Sequence, residues 1–144
     1  MIHAYRVNTV GPLLVTKEFL PLLKMAAVKR SARPLSCSRA AVVVLSTGAA
    51  SIEGSVKRSN WLGYPYRCSK TAANMAVRTL SVDLREDNIL VASIAPGYVA
   101  TDMTLHRGDL TVEEAVSSML ATLAKFGPQH NGGFFARFGE VYPW

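Results

Sequence analysis

The sequence predicts an α/β fold, and three local patterns carry that reading. Ala40-Ala-Val-Val-Val-Leu45 and Ile89-Leu-Val-Ala-Ser-Ile-Ala95 are short, nearly all-apolar runs rich in β-branched residues. Such runs are typical of strands buried on both faces of a parallel sheet. Between them, Tyr66 and Lys70 are four residues apart, and Ala72, Ala76, Leu80 and Leu84 recur at that same spacing. This draws one apolar stripe along about four helical turns. The two strands would bring their carboxyl ends to a single crevice, the place where open α/β sheets put their sites.

In chain order, residues 2–29 read as a long helix bent near Gly11-Pro12. Pro12 has no N–H, so the carbonyl of Asn8 loses its usual helical partner. Ser31 to Arg39 form a basic loop containing Pro34, and the first strand then ends in Ser46-Thr47-Gly48, which delivers hydroxyls to its carboxyl end. Trp61-Leu-Gly-Tyr-Pro65 leads into the Tyr66 helix, and the second strand ends in Pro96-Gly-Tyr-Val-Ala-Thr101. Thr111-Val-Glu-Glu114 is a capping-box pattern opening a helix expected to stop at Gly127-Pro128. At 144 residues and 49% hydrophobic, the chain is the size of one small globular unit. It shows no internal repeat, low-complexity tract or interdomain linker.

The chemistry centres on Tyr66-Arg-Cys-Ser-Lys70. A free tyrosine, with a pKa of about 10, is too weak an acid to serve near pH 7. An ammonium a few Å away stabilises the phenolate and makes the group a usable proton donor and acceptor. Alone, the spacing is common by chance and describes an exposed helical pair equally well. The hydroxyls at one strand end and the Pro-Gly turn at the other give it weight. The Asn8 carbonyl, freed by Pro12, is open to water, although a helix kink with a solvated carbonyl explains it as simply.

Taken together and in this order, Val7-Asn-Thr-Val-Gly11, Leu45-Ser-Thr-Gly48, Tyr66-Arg-Cys-Ser-Lys70, Pro96-Gly-Tyr-Val-Ala-Thr101 and Asn131-Gly-Gly133 resemble the short-chain dehydrogenase/reductase family. The likeness is to its carbonyl-reductase-like branch of C-factor and sniffer proteins. It implies that residues 1–144 are a partial domain, running from the fourth helix to the C-terminal strand of a Rossmann-like doubly wound parallel sheet. Three strands are implied, at 40–45, 89–95 and 133–136, with the N-terminal cofactor half missing. Tyr66 would be the general acid/base, Lys70 would lower its pKa and hold the nicotinamide ribose, and Asn8 would anchor a water in a proton relay. Pro96, Gly97, Val99 and Thr101 would close over the nicotinamide end of NADP(H), preferred to NAD(H) on the resemblance alone. The stretch from Asp102 to Leu110 covers the substrate in relatives.

Two departures qualify the likeness. The family's Ser-Ser pair is here Ser46-Thr47, which puts Thr47 at the position that orients the substrate carbonyl and leaves Ser46 as the fallback. Threonine keeps the donor but adds a methyl and a stiffer χ1. Both hydroxyls also have a plain alternative, bonding to nearby backbone. In addition, no G-x-G-x-x-G or T-G-x-x-x-G-x-G turn for a pyrophosphate occurs in these residues. The expected function is carbonyl reduction or alcohol oxidation, with the isolated chain inactive for lack of that turn. The competing reading is a non-catalytic homologue that serves at most as an interaction module. Trp61, Tyr98, Leu62 and Tyr64 are candidates for an apolar substrate wall, or equally for core.

The remaining features narrow the classes. The net charge is +6, and Lys24 to Arg39 holds five cations and no acid. No interleaved aromatics accompany them, so a solvated loop is expected rather than a nucleic-acid surface. Cys37 and Cys68 form neither a disulfide framework nor a metal site, and His3, His106 and His130 lack ligand spacing. No signal-peptide pattern or bilayer-length apolar run is present. The expectation is a cytoplasmic protein acting on a small carbonyl or alcohol, without nucleic acid, metal or membrane as partner, and with a homo-oligomer left open.

Overall fold

The computed structural model describes residues 1–54 and 63–144. Its first element is one continuous helical run: α1 (Ile2–Tyr5), a π turn (Arg6–Val10) and α2 (Gly11–Lys29). The bend expected near Gly11-Pro12 is realised as that π turn, in which Gly11 N donates to Arg6 O. Pro12 explains the widening, because it has no N–H to offer Asn8 and its ring crowds that carbonyl in a regular α-helix. The helix then continues through a second proline, Pro21.

Three strands, β1 (Ala41–Leu45), β2 (Leu90–Ala95) and β3 (Phe134–Ala136), form a parallel sheet in the order β1-β2-β3. Val43 lies opposite Ala92 and Ile94 opposite Phe135. Each strand starts one residue later than the sequence suggests. Helix α3 (Gly63–Asp83) joins β1 to β2, and α4 (Val112–Leu123) joins β2 to β3. This is part of a Rossmann-like α/β sheet.

The β-branched runs lie where two-sided burial demands them. Ile89 and Val91 pack with Val44 against Ala27 of α2, Val77 of α3 and Leu84 just beyond its end. On the opposite face Leu90 and Ala92 meet Phe126 and Phe135. Central β2 is buried along its whole length, whereas β1 is buried only at Val44, and Leu45 is 54% exposed. Among the described residues β1 pairs with β2 alone. Its other edge is open, and α2 beside it exposes Leu14, Phe19, Leu22 and Met25.

Two sequence expectations change. The stripe Ala72, Ala76, Leu80, Leu84 is the half-buried flank of α3, with Leu84 alone fully buried. Ser69, Ala73, Asn74, Val77 and Ser81 face inward. Serines are tolerated there because each hydroxyl donates back into its own helix, Ser69 to Tyr66 O and Ser81 to Arg78 O, and their small size lets helix and sheet approach closely. Helix α4 ends at Leu123 rather than at Gly127-Pro128. Its last turn tightens, Lys125 and Phe126 donating to Thr122 O and Leu123 O, and His130 then stacks on Phe126 with ring centres 4.6 Å apart.

The basic loop is held by its own arginines. Arg39 donates to Ala27 O near the end of α2 and to Arg33 O, Arg33 to Ser38 O, and Arg30 to Arg39 O. Lys24 pairs with Asp87 at 2.9 Å. Beyond β3 the chain folds back: Tyr142 stacks on Phe134, and Glu53 N donates to Trp144 O.

Candidate active site

The carboxyl ends of β1 and β2 frame a cavity of about 260 Å³ lined by Ser46, Thr47, Tyr66, the Pro96–Val99 turn and Thr101. Tyr66 reaches it because the first turn of α3 starts at the same end of the sheet at which β1 finishes. The Thr47 side chain lines the same cavity and lowers the phenol's pKa. Thr47 is extended, and its hydroxyl oxygen accepts from Ala49 N at 3.3 Å. Ser46 is different. Its hydroxyl donates inward to Asn74 Oδ1 at 2.7 Å, and both residues are buried. Of the Ser46-Thr47 pair, Ser46 is therefore committed to Asn74, and Thr47 is the one left to act with Tyr66 at the cavity they share.

Lys70 lies one turn along α3, with its ammonium 2.7 Å from the carbonyl oxygen of Leu45. Ser46 N donates to Ile94 O and Leu90 N to Ala40 O. By the alternation of a parallel ladder, Leu45 O points away from β2, toward the open edge. The expected lowering of the Tyr66 pKa is not observed in this arrangement. Burial pushes the phenol above its ordinary value, and the Thr47 side chain offsets part of the rise. Burial also lowers Lys70, by disfavouring its charged form.

Asn8 and Lys70 line a second cavity, of about 270 Å³, between α2 and β1. The side chain of Asn8 donates to Ser69 Oγ at 3.0 Å, and Thr9 donates to Ser69 O at 2.8 Å, which ties the π turn to the Tyr66 helix. The structure thus places Thr47, Tyr66, Pro96, Gly97, Tyr98, Val99 and Thr101 around one cavity, with Asn8 and Lys70 around its neighbour. Trp61 and Leu62 lie outside the described residues. Tyr64 is 81% exposed and walls neither cavity.

The Pro-Gly turn has a local reason. Gly97 sits at φ +93°, where an L side chain is strained, and a Cβ would fall 2.9 Å from Leu110 Cδ1. The segment beyond it is closed at its base, since Ala100 N donates to Leu110 O and Leu110 N to Tyr98 O. Gly108 makes this closure feasible, because a Cβ there would overlap Ala100 N and Val99 C. Helix α4 completes the cavity with Val112, Val116 and Met119, and Met103 adds a second thioether. These α4 positions, at spacings of four and three, were open to detection from the sequence as one helix face. Among the described residues no group of His, Cys, Asp or Glu could hold a metal ion, and no helix is long and apolar enough to cross a membrane.

The family described as short chain dehydrogenase matches residues 2–110. This chain belongs to that family. It is 35% identical to the C-signal protein of Myxococcus xanthus over 144 residues, all of this chain and 78% of that protein. Among solved structures, carbonyl reductase Sniffer of D. melanogaster shares 38% identity with a TM-score of 0.90. The NADPH-bound carbonyl reductase from chicken fatty liver shares 38% identity with a TM-score of 0.89. Each match covers 97% of this short-chain dehydrogenase chain and 55% of the other, so the chain spans about half the length of those two reductases.

Proposed function

We propose that the chain carries the acid/base and substrate-binding part of an NADP(H)-dependent oxidoreductase that interconverts a carbonyl compound and its alcohol. The observation that carries this reading is Tyr66, which shares with Thr47 the wall of a mostly apolar cavity lined by the Pro96–Thr101 turn. The NADPH bound in the chicken reductase supports the choice of cofactor. The residues here suit its nicotinamide end, since the Pro96–Val99 turn lines the cavity beside Tyr66 and Gly97 lets its backbone take the left-handed conformation found there. Tyr66, Lys70, Pro96, Gly97, Val99 and Thr101 would hold it.

In reduction, the hydride added to the carbonyl carbon comes from NADPH, which is oxidised to NADP⁺. Tyr66 gives its phenolic proton to the carbonyl oxygen. Burial raises its pKa, so the phenol is protonated at neutral pH but is a weaker acid than a free tyrosine. A nearby positive charge would have to lower it for efficient transfer. Thr47 hydrogen-bonds the same oxygen as negative charge develops on it. Lys70 and Asn8, which line the neighbouring cavity, would return the proton. In the full-length context, with a Gly-rich nucleotide half joined to these residues, Tyr66→Phe should cut carbonyl reduction by about 10²-fold or more. Unchanged turnover would sink the assignment.

For residues 1–144 by themselves, a non-catalytic reading has its own support. They contain no Gly-rich turn, and Lys70 is held on the Leu45 carbonyl. Calorimetry on a monodisperse sample should detect weak NADPH binding or none. A micromolar dissociation constant would refute this.

A further inference from the structure

We propose that Asn74 is a positioning residue: through Ser46 it fixes the strand end that presents Thr47 to Tyr66. The proposal rests on the reading of Tyr66 and Thr47 as an acid/base pair, and goes beyond it by naming what holds that pair in place.

Helix α3 bonds the strand end along a single line of residues. Arg67 Nε donates to Ala49 O at 3.2 Å, Thr71 Oγ1 donates to Ala50 O at 2.8 Å, and Asn74 Oδ1 accepts from Ser46 Oγ at 2.7 Å. Residues 67, 71 and 74 share one helical face. Their partners bracket Thr47, with Ser46 before it and Ala49 and Ala50 after it. The three bonds differ in how easily they are replaced. The Thr71 hydroxyl also reaches Arg67 O at 3.0 Å, and the Arg67 bond is only partly buried. Ser46 and Asn74 are 4% and 2% exposed. Water cannot substitute there, so theirs is the bond whose loss the strand end would feel most.

The identity of the residue points the same way. Asparagine is a middling helix former, and position 74 faces the sheet within a helix whose next inward position is Val77. Asn74 Nδ2 meets no acceptor among the described residues, and the Ser93 hydroxyl on β2 is also unpartnered. Packing alone would favour leucine at this position, which is close to asparagine in shape and brings no unpaired amide. The acceptor for Ser46 is what asparagine adds.

The test reads Tyr66 directly. In ¹³C-tyrosine NMR of the chain, the Tyr66 signal is assigned by its loss in Tyr66→Phe, and its titration is followed in Thr47→Val, Asn74→Leu and Ser46→Ala. Thr47→Val removes the hydroxyl that lowers the phenol's pKa, so the titration moves up. Asn74→Leu and Ser46→Ala should move it the same way by a comparable amount. Asn74→Leu combined with Thr47→Val should move it no further than Thr47→Val alone, and Ser46→Thr, which keeps the hydroxyl, should restore it. An unmoved Tyr66 in folded Asn74→Leu or Ser46→Ala, or an additive shift in the double variant, would overturn the proposal. If Asn74→Leu fails to fold, Ser46→Ala gives the same reading after losing a single hydroxyl. No turnover is measured. Loss of the carbonyl-reductase reading would leave these shifts standing, whereas an unmoved Tyr66 in Thr47→Val would overturn both.

Discussion

Tyr66 and Lys70 are both half-buried, one turn apart on α3, and respond to that burial with opposite signs. The folded chain holds the Tyr66 proton more tightly than the unfolded chain does, because its pKa is raised above the ordinary 10.0. Stability from this source is complete below pH 10 and falls as pH climbs through the folded value. The Lys70 pKa is lowered from 10.5, so the folded chain binds that proton less tightly, and stability rises as pH climbs from the folded value toward 10.5. Urea midpoints measured from pH 7 to 11 should therefore lose the alkaline fall in Tyr66→Phe and lose the rise in Lys70→Met. Midpoints that change with pH identically in both variants and the parent would contradict the burial of these groups.

The elements that position the site depend on a few caps and close approaches. Thr111 and Glu114 form the reciprocal cap that starts α4: Glu114 N donates to Thr111 Oγ1, and Thr111 N to Glu114 Oε2. Thr111→Ala should cost about 1 kcal/mol, read as a lower urea midpoint. Gly108→Ala should separate residues 98–100 from 108–110 and open the base of the segment over the cavity. The measurement is faster proteolytic nicking between Asp102 and Leu110, with little change in the α3 core. An unchanged cleavage rate would mean that the backbone accommodates the methyl.

How much of this was legible follows from what each signal depends on. The cap, the β-branched runs and the Tyr66–Lys70 spacing are local, and they reappear with strand starts displaced by one residue. The placing of Thr47 at a strand end beside the cavity was legible as well, because a strand end is a local feature. Asn74 was hidden, because its partner Ser46 is 28 residues away and the apolar pattern of α3 points to Ala72 and Ala76 instead. The end of α4 was misplaced because Gly127-Pro128 marks where a helix cannot continue, not where its last α turn closes. Lys70 was assigned to the phenol because spacing says nothing about the competing carbonyl of Leu45.

For the molecule as a whole, the main asymmetry is between the buried β2 and the half-covered β1. An unpaired parallel edge flanked by an apolar helix face is a recognised association surface. Purified residues 1–144 should therefore associate as concentration rises, with sedimentation coefficients increasing over the micromolar range. Phe19→Glu and Leu22→Lys change the exposed face of α2 and should shift that association to higher concentration. Sedimentation that stays monomeric and is indifferent to these changes would show that the face is innocuous.

The hydrogen bond from Lys70 to Leu45 gives that open edge a second meaning. Leu45 O is the last outward-facing acceptor of β1, and a strand laid along the edge would aim its own N–H at the same oxygen. With two lone pairs, Leu45 O can accept from both, and the added N–H would compete with the ammonium and weaken its hold on Lys70. By thermodynamic reciprocity, a ligand hydroxyl that draws Lys70 away from Leu45 would make the edge more receptive to a strand, to the same degree that the strand frees the lysine. The Lys70 side chain thus links the open edge of β1 to helix α3.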